Sequence, residues 1–65
     1  MATISENIKR LRVKQGLTQD DLAKKSGLKY STLAKIEGGF VEKPGVQMIA
    51  AIAKALDVSI EDLLK

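Results

Sequence analysis

Apolar residues at Ile4, Ile8 and Leu11, spaced by four and then three, line one side of an α-helix, and Gly16 stops the run. The pattern predicts a first helix from about Ile4 to Lys14. Leu17 leads into a second, about Gln19 to Lys25, with Leu22 and Ala23 inward; a third, about Tyr30 to Glu37, turns Leu33 and Ile36 inward and is closed by Gly38 and Gly39. The stretch FVEKPG reads as a loop. Pro44 and Gly45 then precede a fourth helix, about Val46 to Leu56, whose Ile49, Ile52, Ala53 and Leu56 share a face. A short fifth follows, about Ile60 to Leu64. No stretch alternates with period two over four residues, so an all-α chain without strands is expected.

The helix starts are marked by polar residues. Thr3 stands three residues before Glu6, Thr18 before Asp21 and Ser59 before Asp62. In each pair the hydroxyl can accept from an orphan backbone N–H while the acid faces the positive helix end. These acids therefore have structural work, which argues against a catalytic role for Asp20-Asp21 or Glu61-Asp62. The third helix departs from the rule. The residue before Tyr30 is Lys29, which cannot accept from orphan N–H groups and sets a positive charge beside a positive helix end. A phosphate at that end would satisfy both the N–H groups and the ammonium, so Lys29 is read as a phosphate contact that exchanges stability for affinity.

Composition narrows the functions available. The 65 residues form one domain, and a chain this small buries only about 60% of its unfolded surface, leaving little room for a cleft. There is no histidine and no cysteine, which removes the commonest general base, the thiolate metal sites and any disulfide. No cofactor, metal or catalytic residue is expected. The start MATISENIKR lacks the apolar core of a signal sequence and no run approaches the roughly 20 residues that span a membrane, so an intracellular, cytoplasmic protein is expected. The net charge is +3, unevenly spread: residues 1–35 carry +5 and residues 36–65 carry −2. Such asymmetry suits a face toward a polyanion, although lysines also solvate helices and charge alone leaves both readings open.

The join between the second and third helices is more specific. Lys25-Ser26-Gly27-Leu28-Lys29 is short enough to hold two helices at a steep angle, with Gly27 supplying a positive φ. Ala23, four residues earlier, lets the backbones approach, and Leu33 and Ile36 bring the later helix down onto the earlier one. A small residue, a turn glycine and two apolar residues at these offsets predict a helix-turn-helix over about residues 19–37.

With those residues in view, the chain resembles the lambda-repressor-like (Cro/C1-type, or Xre) helix-turn-helix family, from ENIKRLRVKQGLTQDDLA through SGLKYSTLAKIEGG and KP to IAKALDVSIEDLL. The resemblance implies a compact five-helix domain over residues 1–65, whose third helix enters the major groove of double-stranded DNA. It further implies a repressor-like transcriptional regulator of bacterial or phage origin that binds a two-part operator as a dimer. Gln19 matches the glutamine that opens the family's second helix and meets a phosphate. Tyr30, Ser31 and Lys35 match base-reading positions and Thr32 a phosphate-binding one. Lys35 can donate to guanine, Ser31 can donate or accept, and the Tyr30 ring can meet a thymine methyl or a backbone oxygen; a ring lying over Leu33 is the plainer alternative.

Arg12 and Glu37 correspond to a structural salt bridge between the first helix and the end of the third, though an arginine there can also turn to phosphate. The loop after Glu37 departs from the family's usual spacing by one extra residue. Within it Lys43 is a further phosphate contact, Glu42 would repel one, and Phe40 is expected to pack back over the third or fourth helix. Val58, Ile60, Leu63 and Leu64 are expected to divide between core and a weak homodimer interface. A complete minimal regulator and the N-terminal domain of a longer one both fit the sequence.

A second class uses the same fold: antitoxin and adaptor modules dock a protein, here through Phe40-Val41 or the fifth helix. An enzyme finds little support, since Gly38-Gly39 lacks the GK[ST] of a phosphate loop.

Overall fold

The computed structural model describes residues 3–41 and 44–64. They form α1 (Ile4–Lys14), α2 (Gln19–Ser26), α3 (Tyr30–Glu37), α4 (Val46–Ala55) and α5 (Ile60–Leu64), with no strand among them. The expected bounds differ by one residue at the ends of α2 and α4 and nowhere else. Ile8, Leu22, Leu33, Ile36, Ile52, Leu56 and Leu63 are fully out of solvent, and Ala23, Ile49 and Ala53 nearly so. Ile4, Leu11, Leu17, Leu28 and Val58 pack around this core partly buried. Every helix contributes to one cluster because each offers only one apolar stripe, too narrow to be covered by a single neighbour. Thus α2 lies on both α3 and α4, α1 on α3 and α5, and α4 on α5.

Hydroxyl caps start three of the helices. Thr18 Oγ1 accepts from the Asp21 N–H at 3.0 Å while Asp21 Oδ2 accepts from the Thr18 N–H at 2.9 Å. Thr18 holds the Asp21 carboxyl below its ordinary 3.8, chiefly through its backbone N–H and next through its side-chain hydroxyl. Ser59 and Asp62 exchange the same pair of bonds at 3.2 and 3.1 Å, and Thr3 Oγ1 accepts from the Glu6 N–H at 3.1 Å.

The helix ends share a second device, a bond from an N–H back to the carbonyl five residues earlier. It joins Leu28 to Ala23 at 3.1 Å and Val58 to Ala53 at 2.9 Å. The motif needs a left-handed residue just inside it. Gly27 fills that place after α2 at φ 76°, whereas after α4 the place is taken by Asp57 at φ 57°, the one non-glycine with positive φ among the described residues.

Side chains of α1 and of its C-cap Gln15 reach further carbonyls at helix ends. Ser5 Oγ donates to the Ile36 carbonyl at 2.6 Å, Asn7 Nδ2 to Leu63 at 2.9 Å, and Gln15 Nε2 to Leu56 at 2.6 Å. These carbonyls lie at the C-terminal ends of α3, α5 and α4, where the helical ladder runs out, the Ile36 carbonyl accepting also from the Gly39 N–H at 3.2 Å. Asn7 is 1% exposed, and its role was not evident from the hydrophobic pattern. Among the described residues no buried side-chain polar atom lacks a partner.

One expectation is corrected. Phe40 does not bury itself over α3 or α4: its ring leans on the backbone at Gly38 but remains 83% exposed. Gly39 turns the chain away from α3 at φ 79°, with the Phe40 N–H tied to the Lys35 carbonyl at 3.0 Å, so the side chain projects outward. At the other end of the chain Leu63 goes to the core and Val58 is half-buried, while Ile60 and Leu64 stay exposed. No helix among the described residues is long and apolar enough to cross a membrane.

Asp57→Gly removes the left-handed strain after α4, and its expected effect is a gain of about 0.5–1 kcal/mol, a rise of several degrees in the thermal midpoint of so small a domain. Thermal unfolding followed by circular dichroism checks this; an unchanged or lower midpoint would contradict it.

Candidate nucleic-acid interface

The turn between α2 and α3 is built by local hydrogen bonds. Ser26 Oγ donates to the Ala23 carbonyl at 3.2 Å and accepts from the Leu28 N–H at 3.4 Å, which, with Gly27, reverses the chain in three residues. Leu28 tucks partly into the core and Lys29 emerges exposed in an extended conformation as the N-cap of α3. Its side chain makes no capping hydrogen bond, and the first turn of α3 contains no acid, in contrast to α1, α2 and α5. The positive end of α3 is thus left uncompensated by the protein and open to an anion.

Beyond Lys29, Ser31 and Lys35 are exposed and stand four apart on one face of α3, while Thr32 is partly buried. Tyr30, next to Ser31, is 53% exposed, and its hydroxyl donates to Gln19 Oε1 at 3.1 Å, which draws the ring toward α2. It does not lie buried over Leu33. Gln19 is half-buried between Tyr30 and Glu37, donating from Nε2 to Glu37 Oε1 at 3.4 Å. Lys43, read from the sequence as a phosphate contact, lies outside the described residues, as does Glu42.

Arg12 and Glu37 anchor this chain of side chains. Arg12 Nε and Nη2 donate to the two Glu37 carboxylate oxygens at 2.8 and 3.0 Å, and Nη1 donates to the Leu17 carbonyl at 2.7 Å. The side chains are only 12% and 2% exposed. With three of its five donors spent inside the protein, Arg12 belongs to the scaffold and not to the open surface. The pair ties α1 to the end of α3 and, through Leu17 and Gln19, to the start of α2. On the surface Lys24 is paired with Asp20 at 3.0 Å, and that hydrogen bond raises its ammonium above 10.5.

Sequence reasoning found these side chains individually but missed the Tyr30–Gln19–Glu37 connection. No periodicity encodes it, since it joins residues 11 and 18 apart. It depends on where helix packing sets three polar side chains.

Two short helices crossing at a tight glycine turn, with the start of the second bare and polar, define a helix-turn-helix domain. The Helix-turn-helix family model matches residues 8–63, and the chain belongs to that family. It is 34% identical over 61 residues to the transcriptional regulator SinR of Bacillus subtilis, covering 94% of this chain and 55% of SinR, so it spans about half the length of that relative. It is 38% identical over 60 residues to an uncharacterized HTH-type transcriptional regulator of Methanocaldococcus jannaschii, covering 92% of this chain and 89% of that protein. Among solved structures, SinR in complex with DNA matches with a TM-score of 0.92 at 33% identity, covering 97% of this chain and 100% of the other. The restriction-modification controller protein C.AhdI of Aeromonas hydrophila matches with a TM-score of 0.89 at 31% identity, covering 94% and 91%.

Arg12→Met strands a buried Glu37 carboxylate and should cost about 3–5 kcal/mol, whereas replacing both partners by methionine should recover much of that loss. Chemical denaturation of the two variants checks this. A double variant no more stable than the single one would show that the pair is not what holds α1 to α3.

Proposed function

We propose that this chain is a sequence-specific, double-stranded-DNA-binding transcriptional regulator, repressor-like in acting by occupying an operator, with α3 lying in the major groove. The observation that carries the reading is the bare, cationic start of α3 on a backbone closely similar to that of SinR in complex with DNA. Ser31, Lys35 and Tyr30 would face base edges, Lys35 donating to guanine O6 and N7. Gln19, Lys29 and Thr32, with Lys43 in the following loop, would fix the domain on phosphates. The chemistry is binding, with no catalytic step.

A weak homodimer through the α5 region completes the proposal, resting on the exposed Ile60 and Leu64. Two copies would place their α3 helices about one helical turn of DNA apart and read an inverted site. A bacterial or phage regulator of this kind would work in the cytoplasm.

Selection of duplexes from a random library, followed by anisotropy titrations at several salt concentrations, tests the reading. The expected result is an inverted, two-part motif bound with a steep salt dependence. Binding that is equal for all sequences would refute it. Lys29→Ser tests the phosphate at the α3 end: the new cap should raise stability by about 0.5–2 kcal/mol while the salt slope falls by about one unit. A variant that melts lower and keeps the full slope would remove Lys29 from the interface.

A further inference from the structure

Tyr30 opens α3 with just over half of its surface exposed and its hydroxyl 3.1 Å from Gln19 Oε1. Which of these partners supplies the proton is decided by groups farther inside. Arg12 has only donors, and two of them hold the Glu37 carboxylate. A carboxylate in that pair accepts only, so Gln19 must turn its amide nitrogen toward it, as seen in the 3.4 Å contact from Nε2 to Glu37 Oε1. The reversed amide would set its oxygen against a carboxylate oxygen with no proton between them. With the nitrogen committed to Glu37, the amide oxygen faces Tyr30, and the phenol donates its one proton inward. On the exposed side only the acceptor capacity of the phenol oxygen remains.

We infer that the Arg12–Glu37 pair, acting through Gln19, makes Tyr30 an acceptor-only reader of DNA. Its hydroxyl oxygen then faces an exocyclic amino group on a base edge, adenine N6 or cytosine N4, and not a phosphate oxygen, guanine O6 or thymine O4. The inference rests on the DNA-binding reading proposed above and narrows it, since sequence alone allowed Tyr30 to donate to a backbone oxygen. Glu37 and Gln19 are positioning residues: they touch no base, yet they fix the polarity of one that does.

The test is duplex selection from a random library with the wild-type protein, Tyr30→Phe and Gln19→Lys, each first checked by thermal unfolding. The wild type should enrich adenine or cytosine over guanine or thymine at one position of its motif. Tyr30→Phe, which keeps the ring and loses the acceptor, should lower that preference roughly fivefold and leave the other positions alone. Gln19→Lys places a donor between Glu37 and the phenol oxygen, so the hydroxyl proton turns outward and the preference should move to guanine or thymine. A merely structural role for position 19 would change affinity or stability without changing the base chosen. An unaltered base preference in Tyr30→Phe, or an adenine or cytosine preference retained in Gln19→Lys, overturns the inference while leaving the regulator reading intact. A wild-type protein that enriches no motif overturns both.

Discussion

A chain of short helices has a carbonyl problem before it has a packing problem. Each helix leaves up to four carbonyls without an N–H, and in a domain this small several of them come close to the core. Here α1 answers for much of the molecule. Its Ser5, Asn7 and Gln15 donate to carbonyls at the ends of α3, α5 and α4, and its Arg12 reaches Leu17 at the entrance to α2. The apolar stripe of α1 alone would let the helix slide or rotate on its neighbours. Donors aimed at fixed carbonyls set its register, and through it the relative positions of the other four helices.

That register places the candidate interface. Arg12 holds Glu37, Glu37 holds Gln19, and Gln19 holds Tyr30, so the orientation of the first side chain of α3 is set from the opposite end of its own helix by way of α1 and α2. The lack of a protein cap at Lys29 stands out against this background. Hydroxyl caps start α1, α2 and α5, and of the two helices without a side-chain cap α4 starts on Gly45 while α3 starts on a cation. A ligand-binding surface is where such a departure from local stability is expected.

The helices were legible in the sequence because their information is local: apolar residues at three- and four-residue spacing, hydroxyl-acid pairs at the starts, glycines at several ends. The exposed positions Lys29, Ser31 and Lys35 were legible for the same reason. What could not be read was long-range and polar. Asn7 looks like any helix-surface amide until Leu63, 56 residues away, is folded against it. Asp57 carries no sign that it must take a left-handed conformation, since most helix ends of this kind use glycine. Phe40 misled because hydrophobicity predicts burial only where the backbone points a side chain inward, and Gly39 turns it outward.

The Asn7–Leu63 bond also has a bearing on synthesis. The ribosome makes α1 before α5, yet the buried Asn7 amide of α1 donates to a carbonyl of α5. Until α5 has cleared the exit tunnel that bond cannot form, although α1 can already meet α3 through Ile8, Ser5 and the Arg12–Glu37 pair. The Asn7–Leu63 bond is therefore a late one, closing across 56 residues of chain after the shorter-range contacts are already available.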